Sequence, residues 1–246
     1  MKALIDADTP VFAVALVSED VDEALAKHRL DKTINDIIIS SGASEAALFV
    51  SGVDNFRKQI CPSYKEHRKD KPVPKYREML RQHLIKEWNA FECEGYEADD
   101  ACGIYQSDDT IICGIDKDLL QIPGKHYQWP IIRKGVTVRP ELYHNISEEQ
   151  GMRNFFTQML TGDVADNIKG IQGVGVKRAT EMLKDFFTEE EMYLRCLDAY
   201  TQDEETDENI EYETIRFKEN LDLLWIWRQF GETYTIRRQV HEIPPP

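Results

Sequence analysis

The chain lacks several things that would place it at once. No apolar run approaches the length of a membrane span, so no passage through a bilayer is expected. MKALIDAD runs directly from the initiator into a strand-like stretch, so no leader is expected either. The five cysteines (Cys61, Cys93, Cys102, Cys113 and Cys196) are odd in number and never fall in a CxxC spacing. That argues against a disulfide framework or a thiolate zinc site, and for reduced thiols in a cytoplasmic protein. The six histidines are scattered, and no Ser/His/Asp arrangement for nucleophilic catalysis is evident. No repeat of solenoid period is present, and low complexity is confined to an acidic stretch and a terminal PPP.

Basic charge is scarce overall. Thirty Lys and Arg stand against 45 Asp and Glu, a formal net charge of −15 over 246 residues, which taken alone argues against a polyanionic partner. The distribution argues otherwise. Residues 57–86 hold ten Lys or Arg against three acids, a local excess of about +7 that could face a polyanion while the acidic remainder keeps the chain in solution.

Apolar runs ending in acids recur along the first half: KALIDAD, EAALFVSGVD and TIICGID, with HYQWPII as a fourth candidate strand. Helical patterns lie between them over about 20–40, 74–89 and from Glu97 to Tyr105. The alternation predicts an α/β fold with a mainly parallel sheet. From Ser147, a capping residue, the pattern becomes helical. The expected organisation is one compact unit: a catalytic α/β region over 1–146 with a basic segment at about 57–86, and a helical region over 147–246. Residues 62–72 read as a mobile basic segment, and TQDEETDENIEYET (201–214) as a solvated loop or frayed helix.

Three strand ends carry Asp6 (with Asp8), Asp54, and Asp116 with Asp118. Glu97 and Asp100 share a helix face at i, i+3, with Asp99 around the turn. In extended chain Asp116 and Asp118 point to one side. Ligands of parallel sheets bind beyond these strand ends. So dense a set of carboxylates is tolerable with bound cations, and an all-oxygen set favours Mg²⁺ or Mn²⁺ over zinc. Two ions about 3.5–4 Å apart suit phosphodiester hydrolysis. Taken singly, each acid reads better as a helix-dipole or turn residue; it is the whole set at consecutive strand ends that points to cations. A second constellation follows in TGDVADNIKGIQGVGVKRA (161–179). Asp163 and Asp166 are again i, i+3. Gly173 and Gly175 permit a tight turn between helices, with backbone N–H groups, Lys177 and Arg178 beside it to receive phosphate.

Taken with LIDAD (4–8), VDNFRK (53–58), PSYKEHRKDKP (62–72), GYEADD (95–100) and GIDKDLLQI (114–122), that motif resembles the 5′ nucleases of the flap endonuclease superfamily. The likeness is to bacteriophage 5′–3′ exonucleases and to the 5′-nuclease domain of bacterial DNA polymerase I, a PIN-like fold with a helix–hairpin–helix at about 155–185. The resemblance implies one metal near Asp6, Asp54, Glu97, Asp99 and Asp100, and a second near Asp116, Asp118, Asp163 and Asp166. It implies that Tyr64, Lys65 and Arg68 belong to an arch around a single-stranded 5′ end. Lys65 would stabilise transition-state charge, supported by Arg68, with His67 placed to meet phosphate. DNA contacts are expected from Arg57, Lys58, Tyr64, Lys69, Gly173, Gly175, Lys177 and Arg178, with Tyr64 and Phe56 as base-stacking candidates. A K⁺ site at the hairpin is implied. So are substrates with 5′ ends, flaps or nicks, or RNA–DNA hybrids, a replication setting and a monomer. The alternative is a structure-specific DNA-binding protein of the same fold with weak or no cleavage.

Overall fold

The computed structural model describes residues 1–133, 135–202, 204 and 206–235; the terminal prolines lie outside the described residues. The described residues fall into two compact units, Met1–Gly151 with Ile226–Glu232, and Met152–Trp225 with Thr233–Thr235. The return of residues 226–232 to the first unit has no signal in the sequence pattern.

The first unit begins with β1 (Lys2–Asp6), α1 (Asp8–Leu16), α2 (Glu23–Ser40) and β2 (Glu45–Asn55). It continues with α3 (Arg57–Ile60), a 3-10 turn (Glu66–Arg68), α4 (Arg77–Glu87), β3 (Phe91–Gly95) and α5 (Ala98–Tyr105). After β4 (Thr110–Cys113) come a second 3-10 turn (Asp118–Gln121), β5 (Gly124–Gln128), a hairpin of β6 (Ile131–Arg133) and β7 (Val136–Arg139), and β8 (Leu142–Ile146). The six-stranded sheet has the order β3-β2-β1-β4-β5-β8. Its pairs are parallel except the last, where β8 runs antiparallel along β5. This is the mixed α/β, mainly parallel architecture that the alternating pattern predicts.

β1 lies between β2 and β4, with Ile5 opposite Leu48 and Cys113. Strand alternation splits its residues between two layers. Ala3 and Ile5 join the cluster under α1, α2 and α4, while α5 packs against β1 and β2 and the Cys102 thiol points to the Leu4 carbonyl. α2 buries Ala26, Leu30, Ile34 and Ile37, a stripe at helical spacing. Its cap is Asp22, which accepts from Leu25 N at 2.8 Å, slightly later than the acids at 19 and 20 suggest. α1 carries no polar face to mark it in the pattern; it buries Pro10, Val11, Val14 and Ala15 and packs against α2, α4 and β2, while Phe12 and Leu16 stay exposed. β3, the β6–β7 hairpin and β8 are likewise absent from the sequence reading, being short and only partly apolar.

In the second unit α6 (Glu148–Thr161) continues into a small antiparallel hairpin of β9 (Gly162–Asp163) and β10 (Ile168–Lys169), followed by α7 (Val176–Leu183), α8 (Glu189–Thr201) and α9 (Asp207–Leu224). Ser147 does cap α6, accepting from Gln150 N at 3.1 Å while Gln150 answers to Ser147 N at 3.0 Å. Of the two readings of the acidic stretch, the helical one holds from Asp207 onward, where it is the first half of α9, capped by Thr206. Buried Tyr200 ties the unit together: its hydroxyl donates to Met159 O at 2.7 Å and accepts from Asn220, which also donates to Lys169 O. Gly162 has φ 68°, and a side chain there would meet Gly170 N at 2.2 Å, so the hairpin closes only with glycine at that place.

Candidate active site

β1 delivers Asp6 to its C-terminal end, and the chain turns directly into α1, so Asp8 begins a helix beside it. Asp6 is buried, accepting from Asp8 N at 3.1 Å and Thr9 Oγ1 at 3.2 Å. Asp8 reaches across to β2 and takes Ser51 N on both oxygens, at 3.1 and 3.2 Å. The Ser51 hydroxyl in turn accepts from Ala98 N at 3.0 Å, which docks the N-terminus of α5 on β2. Glu97 is the residue before that helix, in a reciprocal capping box with Asp100. Asp99 follows in the first turn, half-buried.

Burial makes these acids feel one another. Asp6 is raised from 3.8 to about 7, by burial first and then by the charges of Asp8 and Asp116. Burial also raises Asp8, with hydrogen bonds from Ser51 partly opposing it and Glu97 adding to it. Asp99 stands well above the carboxylate range through burial and the charges of Glu97 and Asp100. For Glu97, burial is overcome by Lys65 and Arg57, and its carboxyl falls below the usual value. Asp6, Asp8, Glu97, Asp99 and Asp116 therefore share one field. Asp8, assigned only as an extra acid by the sequence, belongs to this group; its signal was the LIDAD spacing itself.

Other assigned residues lie elsewhere or are occupied. Asp100 is fully buried, and its oxygens accept Arg57 Nη1 at 2.7 Å, Arg57 Nη2 at 2.8 Å, Glu97 N at 3.0 Å and Trp227 N at 3.1 Å. That is the saturated shell of a structural ion pair. Arg57, its partner, is only 2% exposed, so it is withdrawn from the expected DNA contacts. Tyr64 is withdrawn too. At 3% exposed it lies in the core, donating to Glu97 Oε2 at 2.7 Å. Asp54 is exposed near the end of β2, within the register irregularity between Ser51 and Asn55. Asp116 and Asp118 do not sit on an extended strand. β4 ends at Cys113, Asp118 opens a 3-10 turn, and the Asp116 carboxylate accepts Asp118 N at 3.0 Å.

The basic segment is pinned at its root. Lys65, with φ 54°, donates to Glu97 Oε1 at 2.5 Å. Beyond it Arg68 and Lys69 are exposed, as is Lys58 on α3. In the second unit Asp163 is buried, accepting Ala165 N at 2.6 Å and Gln158 Nε2 at 3.2 Å, and Asp166 N donates to Asp163 O across the hairpin turn. Their i, i+3 spacing is thus a β-turn rather than a helix face. Gly173 takes φ 74°, a conformation suited to glycine, whereas Gly175 precedes α7 in ordinary extended backbone. Lys177 and Arg178 are exposed in the first turn of α7, whose N–H groups lack partners within the helix.

The donor set is chemically suited to a hard divalent cation: it is oxygen only, and burial together with neighbouring charge raises Asp6, Asp8 and Asp99 above the usual carboxylate range. Among the described residues no three His, Cys, Asp or Glu are close enough together to hold an ion as they stand; Glu97 is turned onto Lys65 and Tyr64.

A parallel sheet with repelling carboxylates beyond its central strand is a frame for cation-assisted phosphate chemistry. The comparisons narrow this. A model of the 5′-3′ exonuclease N-terminal resolvase-like domain matches residues 12–149, and the chain belongs to that family. It is 33% identical over 159 residues to DNA polymerase I of Bacillus caldotenax, covering 58% of this chain and 18% of the polymerase. It is 30% identical over 194 residues to DNA polymerase I of Borreliella burgdorferi, covering 71% of this chain and 21% of the polymerase. The chain thus spans about a fifth of the length of these polymerases. In fold it is similar to the T5 5′-exonuclease with bound divalent metal ions (zinc), at TM-score 0.61 and 17% identity over 91% of this chain and 88% of that one. It is also similar to the bacteriophage T5 flap endonuclease in a pseudo-enzyme–product complex with DNA and metal ions, at TM-score 0.63 and 16% identity over the same 91% and 88%. Among the described residues no helix is long and apolar enough to cross a membrane.

Proposed function

We propose that the chain is a divalent-metal-dependent 5′–3′ exonuclease and flap endonuclease that hydrolyses DNA phosphodiesters, and RNA in RNA–DNA hybrids, during replication or repair. The observation that carries this reading is the gathering of carboxylates beyond the end of β1: Asp6 accepts from Asp8 N, Asp8 reaches across to Ser51 on β2, and Ser51 docks the start of α5 with Glu97 and Asp99, where burial chiefly raises Asp6, Asp8 and Asp99. Family membership supports it.

In this reading Asp6, Glu97, Asp99 and Asp116 hold Mg²⁺, with Mn²⁺ as a substitute, and Asp8 steadies the site from β2. The cation supplies charge neutralisation and Lewis-acid activation at phosphorus. Lys65, already at the acid cluster, supplies a mobile positive charge to the phosphate, with Arg68 beside it. Exposed Lys58 and Lys69 attract the backbone of the 5′ strand. Gly173, Gly175, Lys177 and Arg178 receive duplex phosphates without reading bases, and the carbonyls of that turn suit K⁺. For Asp54, Asp118, Asp163 and Asp166, metal ligation rests on the motifs alone. Action as a monomer, in company with replication proteins, completes the proposal.

The test is cleavage of a 5′-labelled flap in Mg²⁺ by the full chain and by Asp99→Asn and Lys65→Ala variants. Short 5′ products are expected, lost in Asp99→Asn and reduced at least about 100-fold in Lys65→Ala, with flap binding in Ca²⁺ retained. Flap binding with no product in Mg²⁺ or Mn²⁺ would replace this reading with that of a structure-specific binding protein.

A further inference from the structure

A single-stranded 5′ end held at the carboxylates needs somewhere to place its unpaired bases, and neither Tyr64 nor Phe56 offers an open face. Tyr64 is buried under its bond to Glu97. Phe56 has Trp227 stacked at 4.5 Å and the Arg57 guanidinium 4.5 Å from its ring centroid. An aromatic with an open face is found instead on the returning segment 226–232 of the first unit. Phe230 is 73% exposed, a costly position for a phenyl ring that contributes little to the core.

Its setting differs from that of a stray surface residue. Tyr96 lies T-shaped to it at 5.5 Å and 88°, and Trp227 at 5.8 Å and 72°. Both contacts steady the ring without stacking on it. The turn that presents it is closed by Glu232, whose carboxylate accepts Arg228 N and Gln229 N while Glu232 N donates to Gln229 O. Gly231 follows with φ 72°. The segment is tied down ahead of the turn. Ile226 N donates to Gln121 Oε1 at 3.0 Å, and Arg228 Nη2 donates to Gln121 O at 2.9 Å. Little ordering remains to oppose a ligand.

The platform is also anchored at the start of α5, the helix that carries Glu97 and Asp99. Trp227, three residues before Phe230, donates its backbone N–H to Asp100, the structural partner of Arg57, at 3.1 Å. Tyr96, on the other flank, directly precedes Glu97. We infer that Phe230 is a stacking site for an unpaired nucleobase of a strand whose phosphates lie at the carboxylates, an inference that rests on the nuclease reading above. The ligand class is single-stranded nucleic acid, with little preference among bases, because every base has a π face.

The experiment uses the full chain in Ca²⁺ and 5′-flap oligonucleotides carrying 2-aminopurine at successive positions of the unpaired strand. Binding is followed by anisotropy and stacking by quenching. The wild type is expected to quench the probe at one position. Phe230→Leu is expected to lose that quenching and bind the flap about tenfold more weakly, with blunt duplex affinity and melting temperature unchanged. Phe230→Trp is expected to restore both. Equal quenching and affinity in Phe230→Leu would overturn the inference while leaving metal-dependent cleavage untouched. So would an equal loss on blunt duplex, or no rescue by tryptophan. Failure of the wild type to bind any DNA would instead remove the nuclease reading itself.

Discussion

Asp6 should destabilise the metal-free protein at neutral pH, and replacing it should stabilise. Its carboxyl passes from an ordinary 3.8 in the unfolded chain to about 7 in the folded one, chiefly by burial and then by Asp8 and Asp116. A folded value above the unfolded one means that the folded state binds more protons between these limits, so stability falls as pH rises through that window. Above pH 7 the full penalty applies, roughly three pH units at about 1.4 kcal/mol each, or about 4 kcal/mol. At pH 4.5 it has shrunk to about 1 kcal/mol. Asp6→Asn removes the charge but weakens the bonds from Asp8 N and Thr9 Oγ1, returning about 1 kcal/mol of the gain. The variant should therefore be about 3 kcal/mol more stable at pH 8 in EDTA and near parity at pH 4.5. Urea unfolding read by tryptophan fluorescence measures this, since Trp88, Trp129 and Trp227 all lie in the first unit. Adding Mg²⁺ at pH 8 should stabilise the wild type and leave the variant little changed. A variant no more stable at pH 8, or equally favoured at both pH values, would refute the account of Asp6 as a buried acid awaiting a cation.

Two further outcomes follow from the same contacts. Arg57→Met strands a fully buried Asp100 and should lower stability by about 3–5 kcal/mol; the double variant Arg57→Met/Asp100→Leu should recover most of it, and the slope of DNA affinity against salt should not move, as urea titration and binding isotherms would reveal. Lys177→Ala and Arg178→Ala on exposed α7 should leave melting unchanged but reduce the slope of log K against log salt by about 0.9 each on duplex DNA; an unchanged slope would take the hairpin out of the interface.

Much of the frame was legible in residue order. Strand-like runs ending in acids gave β1, β2 and β4, and the helical stripe of α2 and the cap at Ser147 could be read directly, because local propensity and packing agree there. The acids of LIDAD and GYEADD could be nominated for the same reason: they follow apolar runs whose burial fixes where their ends lie. Residue type could not say which acids stay available. Asp99 and Asp100 are neighbours of one kind, yet the α5 turn sends Asp100 to Arg57 and leaves Asp99 in the field of Asp6 and Glu97. The same holds for the basic segment, where charge alone made Arg57 and Lys58 equivalent. Arg57 is buried because a carboxylate 43 positions away completes its fork, and Lys58 remains in solvent because nothing comparable reaches it. Sequence by itself determined the family, the parallel α/β frame and the pool of carboxylates and cations. Only tertiary structure decided which of them are spent on holding the chain together and which remain for a ligand. It also brought residues 226–232 back to set Phe230 against Tyr96, the residue before Glu97. A side chain's role depends on partners distant in the chain, and those contacts exist only once the core has closed.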